Sequence, residues 1–413
     1  MRRYLDVLSN RPFAALWFGS TVSAVGDALT WVALVWLVIE TDGPAALGGL
    51  VVAYTAPVIV GGLAMGVLLD RFERRRVLIV VNTVLGCSVA AVPLLSGAGL
   101  LQTWHLYVVA ALYGLLKMAN WAGVPSLIPS LVPEADLNTA NAMESVSFGI
   151  AEVAGPALAG VLIGLVGGAS VLVVDAASYL LFVVVLAGLR VPPEPRVAEE
   201  QVSRPGLRPA FRFVRRQPAV LAITLMFMAF NIGEGMLLVL LPVLTRRELG
   251  GDAATYGLLL SSFALAVAAG SFVVGALEWR WTLGRSIAVV QIAAGISFLG
   301  LAFAPTLPAA MVVLAVAGVL ASPMTIWAQT IRMRVIPPEL RGRTFGLLRT
   351  LMQSTPPLGG ALAAAMLMGD GPIGPVVLVT TLVMAVPGVL GLVSPALSDE
   401  HTHAAEAVPF VAA

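Results

Sequence analysis

The chain has 413 residues, of which 59% are apolar and only 11% are charged, and its mean hydropathy is +0.94. About a quarter of the residues in a soluble domain are charged, so this composition excludes an ordinary soluble protein and a disordered one. It indicates an integral membrane protein. The 24 basic residues nearly balance the 23 acidic residues, which argues against a nucleic-acid partner.

Residues that usually build metal and redox sites are scarce. Cys87 is the only cysteine, and two of the three histidines, His401 and His403, lie in a polar C-terminal tail. The sequence therefore offers neither a disulfide framework nor a Cys/His metal site. It also lacks a Gly-x-x-x-x-Gly-Lys segment for ATP phosphates. We expect no metal, no cofactor and no enzymatic activity.

Apolar runs long enough to cross a membrane recur along the whole chain. A helix needs about 20 apolar residues to cross the hydrocarbon core. Cutting the sequence at charged and Gly- or Pro-rich interruptions predicts an all-α integral membrane protein with twelve transmembrane helices. The predicted spans are 13–39, 46–69, 77–98, 104–126, 142–166, 169–189, 219–245, 255–277, 285–304, 307–331, 344–368 and 373–395. The first span contains Asp27 and is too long for a signal peptide, so we expect the mature protein to keep it.

Basic residues are distributed unequally between the two sides of the membrane. Nearly all lie in the N-terminal segment and in loops on the same side, and the opposite side carries only Arg246 and Arg247. Short Arg-rich loops stay in the cytoplasm, which predicts that both termini are cytoplasmic. The longest loop on that side separates six spans from six. The predicted parts are an N-terminal half (1–189), a linker (190–218), a C-terminal half (219–395) and a tail (396–413).

The two predicted halves share sequence features. Gly26-Asp27 in the first span has a counterpart in Gly233-Glu234 of the seventh span. Parallel six-span repeats are typical of transporters that hold their substrate near the membrane midplane, between the halves. The sequence thus indicates a transporter.

The loop after the second span carries a charged motif. Its main residues are Gly66, Asp70, Arg71, Arg74 and Arg75. They resemble the signature loop of the major facilitator superfamily, although Glu73 stands where that family usually has glycine. Charge-assisted hydrogen bonds of Asp70 and the arginines with one another or with helix ends would hold one conformation closed. The alternative is that the arginines only set the topology.

A second motif lies in the fifth span. It consists of Gly149, Gly155, Pro156 and Gly160 and is similar to the Gly-Pro motif of proton-coupled exporters of that superfamily. Glycine and proline permit close packing and a kink, which suits a moving interface, and a purely structural kink is the alternative. Together the motifs resemble a bacterial branch with macrolide-efflux and enterobactin-exporter-like proteins. This resemblance implies a monomeric, multi-pass protein of the bacterial inner membrane.

Four ionisable residues lie close to the midpoints of predicted spans: Asp27, Lys117, Glu152 and Glu234. A charge at the centre of a membrane helix costs about 2.5–3.5 kcal/mol, so these residues should pair, take up protons or face a watery cavity. One alternative is a structural ion pair of Lys117 with Asp27 or Glu152. Three acids nevertheless face one lysine, which leaves at least one acid that must be neutral or hydrated, as a proton carrier requires.

Helical spacing places other polar and aromatic side chains beside these charges. Residues three or four apart share a helix face. The predicted cavity residues are therefore Ser23, Thr30 and Trp31 beside Asp27, Asn120 and Trp121 beside Lys117, and Asn231 beside Glu234. Glu144 follows Asn141 by three residues and is interpreted as part of a helix cap. Asp175 is interpreted as a structural hydrogen-bonding residue.

These observations predict a secondary active transporter, namely a proton-coupled antiporter that exports amphipathic small molecules. The expected partners are the small-molecule substrate, protons and the lipid bilayer. A siderophore or other metabolite exporter is the alternative within transport, with import a weaker one. A non-transporting membrane receptor or assembly factor on the same fold would need neither midplane acids nor a coupling ion.

Overall fold

The computed structural model describes residues 2–189, 208–276, 282–337, 340–368 and 371–397. These residues form α-helices joined by short turns and 3₁₀ segments, and no strand occurs among them. The helices are α1 (Arg2–Ser9), α2 (Arg11–Asp42), α3 (Leu47–Arg71), α4 (Arg74–Gly97), α5 (Thr103–Leu131), α6 (Leu137–Val166), α7 (Gly168–Gly188), α8 (Arg208–Arg216), α9 (Pro218–Arg247), α10 (Ala253–Ala276), α11 (Leu283–Ser297), α12 (Leu307–Val335), α13 (Arg341–Gln353), α14 (Pro356–Leu367) and α15 (Ile373–Val393). Most of the predicted linker and the predicted tail lie outside the described residues.

Every one of the twelve predicted spans coincides with helical structure. The first six spans are α2 to α7, the next four are α9 to α12, and the last is α15. Within the described ranges, nine helices are long and apolar enough to cross a membrane by themselves. The other three spans are α3, α5 and the pair α13 and α14. The all-α membrane fold predicted from the sequence is confirmed.

The eleventh predicted span is two helices rather than one. α13 ends at Gln353 and α14 begins at Pro356. Proline lacks an N–H group and restricts the residue before it, so the pair Pro356-Pro357 interrupts the helix. The Thr355 hydroxyl at the break donates to the carbonyl of Met228 in α9, 2.9 Å away. The prediction of one continuous helix over 344–368 was therefore wrong.

Glycines allow α3 and α5 to pack with their backbones in contact. A Cβ atom at Gly114 would overlap the carbonyl oxygen of Tyr54, and one at Gly61 would overlap that of Leu115. Small residues at such positions are the usual means of bringing membrane helices close together. As a result, the Tyr54 side chain lies beside α5.

The start of α2 is fixed by its cap. The side chain of Asn10 accepts a hydrogen bond from the backbone of Phe13 (3.3 Å), and Pro12 occupies the first turn, where its missing N–H is not needed. The same amide donates to the carbonyl of Leu131 at the end of α5 (2.6 Å). Asn10 thus begins one helix and ties it to the end of another.

The chain divides into two compact units. One contains α1 to α7 with the segments 238–264 and 360–371, and the other contains α8, α11, α12, α13 and α15 with the remaining parts of α9, α10 and α14. Three of the boundaries between the units fall inside these divided helices. The division into halves at 1–189 and 219–395 stays a prediction.

Candidate functional site

A small cavity, open on one side, lies in the first unit, among α2, α5, α6 and α7. Polar, acidic and aromatic side chains all reach its wall. The lining residues are Ser20, Ser23, Ala24, Asp27, Asn120, Trp121, Val124, Glu144, Ser147, Phe148 and Phe182. Four of the predicted cavity residues are therefore neighbours in one site: Ser23, Asp27, Asn120 and Trp121. The residues from α6 and α7 were not predicted to belong to it.

Asp27 is held in place by tyrosines. Its carboxylate accepts a hydrogen bond from the hydroxyl of Tyr179 in α7, and Tyr113 of α5 also interacts with it. The Asp27 side chain is partly exposed, whereas both tyrosines are buried. One part of this carboxylate is thus fixed by the protein while the group borders an open cavity.

Asp175 lies immediately behind this site. It is fully buried and accepts hydrogen bonds from Thr30 and from Ser178, the latter at 2.9 Å. The hydrogen bonding predicted for Asp175 is confirmed, and its structural role stays a prediction. Thr30, in contrast, is buried against Asp175 and does not line the cavity beside Asp27. The face assigned to Thr30 from helical spacing was therefore wrong.

Lys117 is surrounded by aromatic rings. Its ammonium group donates a hydrogen bond to the Tyr54 hydroxyl and lies 4.8 Å from the ring centroid of Tyr54, 5.6 Å from that of Tyr113 and 4.9 Å from that of Trp121. Trp31 extends the group, with its ring centroid 4.7 Å from that of Tyr54. These distances are typical of cation–π contacts.

Lys117 does not form the ion pair considered from the sequence. Among the described side chains, none of the hydrogen bonds or ion pairs joins Lys117 to Asp27 or Glu152. Its charge still acts electrostatically on both carboxylates. The structure places the lysine near the acids and within the aromatic cluster.

Asn120 is paired with Asn82 of α4. Each side-chain amide donates to the other, at 2.8 and 3.0 Å. This reciprocal pair satisfies both amides and fixes the part of α5 that carries Trp121. The Trp121 ring is 38% exposed and meets Phe148 of α6 edge to face, with centroids 5.9 Å apart. Two aromatic side chains therefore form adjacent parts of the cavity wall.

Glu144 was assigned wrongly from the sequence. α6 begins at Leu137, so Glu144 lies about two turns inside the helix and cannot cap its start. The residue is buried, and its carboxylate accepts one long hydrogen bond (3.4 Å) from Ser20 of α2. The sequence did carry a signal for its position in the cavity. Glu144, Ser147 and Phe148 are three and four residues apart, and such residues lie on the same helix face.

Glu152 lies two turns further along α6. Its side chain is exposed, and the spacing from Phe148 places the two residues on one helix face. It does not line the described cavity itself. Glu152 therefore extends the acidic face of α6 beyond the cavity.

The predicted residues of α9 lie in the second unit. Asn231 donates to the carbonyl of Met352 in α13 at 2.9 Å, and a Cβ atom at Gly233 would overlap the Met384 side chain in α15. Glu234 is exposed, and none of the described groups is hydrogen-bonded to it. Gly26 of the Gly-Asp pair likewise packs against α7. Each glycine therefore contacts the last span of its own predicted half.

The loop between α3 and α4 is attached to two helices of the first unit. Arg75 donates to the carbonyls of Leu186 and Ala187 at the end of α7, both at 2.6 Å, and Arg74 donates to that of Ser126 in α5 at 3.1 Å. Arg71 is exposed and lies 5.9 Å from the ring centroid of Phe72. Gly66 faces open space, and the side chain of Asp70 lies outside the described residues.

The Gly-Pro motif is a packing site. A Cβ atom at Gly155 would overlap Ala28 of α2, and one at Gly160 would meet the backbone of Ala253 and Ala254. Near Pro156, the backbone N–H of Ala157 donates to the Ser261 hydroxyl of α10 at 3.1 Å. Gly149 instead faces open space. The motif thus lets α6 touch α2 and α10 at once.

The helical architecture agrees with a comparison against known families. A family model described as a transmembrane secretion effector matches residues 4–397. The chain belongs to this family of the major facilitator superfamily. The family consists of membrane transporters and not enzymes, so the protein is a multi-pass transporter of small molecules.

Two kinds of curated relative are named as exporters. The multidrug efflux pump Tap of Mycobacterium tuberculosis is 28% identical over 413 residues, which cover 95% of both chains. The enterobactin exporter EntS of Salmonella choleraesuis is 27% identical over 377 residues, which cover 89% of this chain and 87% of the relative. Both resemblances extend over nearly the entire transporter.

Solved structures show the same fold at lower identity. The nucleoside transporter NupG superposes with a TM-score of 0.72 and 13% identity over 92% of this chain and 98% of its own. A bacterial homologue of the lysosomal transporter Spinster gives 0.67 and 15% over 92% and 94%. At these identities the likeness establishes the major facilitator fold and leaves the substrate open.

Proposed function

We propose that the protein is a proton-coupled antiporter that exports amphipathic small molecules across a bacterial inner membrane. The observation that carries the proposal is the position of Asp27 in the wall of a cavity that also presents Glu144 and the rings of Trp121, Phe148 and Phe182. Apolar rings with a few polar groups are the usual lining of a small-molecule site. An amphipathic molecule would place its apolar part on the rings and its polar part near the acids.

The coupling role falls to Asp27 because this carboxylate borders the cavity. Protonation removes its charge, and the cost of that charge depends on whether the cavity is open to water or closed. Proton binding therefore favours one conformation over the other by that difference. Glu234 is the second candidate, and Glu152 and Lys117 would tune the site from nearby.

The remaining sequence motifs have proposed supporting roles. The arginine distribution indicates that both termini are cytoplasmic, which puts the loop between α3 and α4 at the cytoplasmic surface. This loop motif consists of Gly66, Asp70, Arg71 and the two arginines bound to α5 and α7. We assign it the role of a latch between conformations. The contacts of Gly155 and Gly160 would let α6 slide against its neighbours, since both glycines remove side chains from a helix contact.

A transport assay with purified protein tests this function. Reconstituted vesicles carrying a fluorescent lipophilic drug should transport it when a pH gradient is imposed and stop when a protonophore collapses the gradient. Counterflow of labelled against unlabelled drug should continue without a gradient. Transport that ignores the protonophore contradicts proton coupling, and the absence of both transport and counterflow contradicts the proposed exporter.

A siderophore exporter remains the second candidate because of the likeness to EntS over 89% of this chain. Transport of a catecholate siderophore and not of lipophilic drugs in the same vesicles would favour it.

A further inference from the structure

Lys117 is the only lysine in the chain, and its ammonium lies among the faces of three rings. We define the aromatic cage as Tyr54, Tyr113 and Trp121. The distances from the nitrogen to the ring centroids run from 4.8 to 5.6 Å, and Tyr54 and Tyr113 are stacked 5.6 Å apart. Cages of this kind are the means by which proteins recognise quaternary ammonium ligands. The transporter therefore contains a built cation site, at present filled by its own side chain.

The aromatic cage borders the cavity through Trp121. The same ring lies 4.9 Å from the Lys117 nitrogen, meets Phe148 and belongs to the cavity wall. A molecule in the cavity would thus touch the Trp121 ring, and the same ring lies beside the Lys117 ammonium. The cage and the cavity form one continuous region in the first unit.

The charges around this region favour a cation. Asp27 and Glu144 line the cavity, Glu152 shares the α6 face, and Lys117 is the one basic side chain among them. The lysine is held by ring faces and one tyrosine hydroxyl, and among the described side chains it has no carboxylate as a direct partner. Its hydrogen bond is to a neutral group, so its release leaves no buried carboxylate unpaired.

We propose that the aromatic cage is a binding site for the cationic group of the transported molecule, and that Lys117 occupies it as a tethered ligand until an amphiphilic cation displaces it. The inference rests on the proposed function and adds the charge class of the substrate and the side chain that competes with it. The four-carbon stem of lysine is flexible, which allows the ammonium to leave the rings for the hydrated cavity. The empty transporter would thereby keep the cage closed to water.

The single lysine makes a direct test possible. Reductive methylation with ¹³C-formaldehyde labels Lys117 and the N-terminal amine, and Lys117→Arg, which retains the charge, identifies the lysine signal by its loss. In detergent-solubilised full-length protein, ring currents should displace the Lys117 methyl signal from that of free dimethyl-lysine. Saturating tetraphenylphosphonium should return the signal to the free position, whereas the neutral triphenylphosphine oxide should not.

Binding measurements supply the quantitative arm. Lys117→Met keeps the length of the stem and removes the charge, so tetraphenylphosphonium should bind about tenfold more tightly than to wild type. Lys117→Arg should bind no better than wild type. Adding Tyr54→Leu to Lys117→Met should cancel most of the gain, because the vacated cage then lacks one ring.

Each outcome decides the proposal. A methyl signal at the free position before addition, or one that does not move at saturation, overturns it, as does an affinity unchanged by Lys117→Met. A gain that survives Tyr54→Leu means that the lysine only repels cations at a distance, which also overturns it. Binding to purified protein needs no proton gradient, so a transporter without proton coupling would still give the expected signals.

Discussion

Gly26 of α2 packs directly against the side chain of Asp175 in α7, and a methyl group at this glycine would overlap the carboxylate. Ser178, which donates to the same carboxylate, lies beside it. The glycine next to Asp27 is therefore required by the packing of a second, buried acid. Its neighbour Asp27 can then reach the cavity from a backbone that lies close to α7.

The first prediction concerns this packing. Gly26→Ala should lower the stability by about 1–3 kcal/mol, because an added methyl group in a packed interior forces side chains or backbone to shift. Thermal unfolding in detergent measures the effect. Gly62→Ala is the matched control, since this glycine of α3 has open space around it and should change little. Equal melting temperatures for the two variants would contradict the packing account.

The second prediction concerns proton coupling. Asp27→Asn retains the shape and most hydrogen bonds of the residue and imitates its protonated form, so pH-driven transport should be lost while counterflow persists. Glu234→Gln is the comparison in α9. If Asp27→Asn transports normally and Glu234→Gln fails, the coupling site lies in α9. If both transport normally, Glu152 with Lys117 is the remaining candidate.

The third prediction concerns Glu144, a member of the cavity wall. Glu144→Gln should weaken binding of tetraphenylphosphonium about fivefold to thirtyfold, since a charge several ångströms away at an effective dielectric constant of about 20 contributes on the order of 1–2 kcal/mol. Ser20→Ala removes no charge, only the hydrogen bonds of the hydroxyl to Glu144 (3.4 Å) and to the carbonyl of Trp17 (3.1 Å), and should have a much smaller effect. Equilibrium dialysis at fixed salt gives both affinities, and an equal loss in the two variants would indicate disturbed packing.

The fourth prediction separates two adjacent arginines. Arg75 binds two carbonyls at the end of α7, where cations stabilise a helix, so Arg75→Ala should cost about 1–3 kcal/mol of stability. Arg76 forms an exposed pair with Glu73 at 2.6 Å, and Arg76→Ala should cost below about 1 kcal/mol. Melting temperatures of the two variants provide the measurement. The ranking fails if Arg76→Ala is the more damaging change.

The fifth prediction uses the cap of α10. Asp252 accepts hydrogen bonds at 3.0 Å from the backbone and the hydroxyl of Thr255, and the backbone bond in particular holds the pKa of the carboxyl below its ordinary value. Because the pKa is lower in the folded state than in the unfolded state, where it is about 3.9, the ionised carboxylate stabilises the fold at pH values above 3.9. This stabilisation is lost as the pH falls through the pKa of the folded state. Asp252→Ala should therefore be less stable than wild type at pH 7, and the difference should shrink below about pH 4. A difference that is constant with pH would contradict this assignment.

Periodicity and charge were enough to predict the spans because a membrane helix must be long and apolar. They could not predict the break at Pro356, since proline is also common inside uninterrupted spans of this chain, as Pro93 and Pro323 show. The break differs from those sites in having two adjacent prolines, Pro356 and Pro357, and in the contact of Thr355 with α9. Tertiary hydrogen bonds of this kind leave no local sequence signal.

Site residues that share one helix could be predicted from the sequence, whereas contacts between side chains of different helices could not. Asp27 and Trp121 follow from charges and aromatic residues at helical spacing. The aromatic cage depends on Tyr54, which arrives from α3 only because Gly114 brings the two backbones into contact. Glu144 was misplaced because a carboxylate three residues after an asparagine also matches a capping pattern.

The reciprocal pair of Asn82 and Asn120 has a consequence for the history of this sequence. Losing one asparagine removes both reciprocal hydrogen bonds and leaves the amide oxygen of the other without that partner, at a cost of about 1–3 kcal/mol, whereas replacing both with apolar side chains is nearly neutral. The two positions should therefore co-vary during evolution. Lineages that keep one asparagine should keep the other, and those that lose one should have lost both.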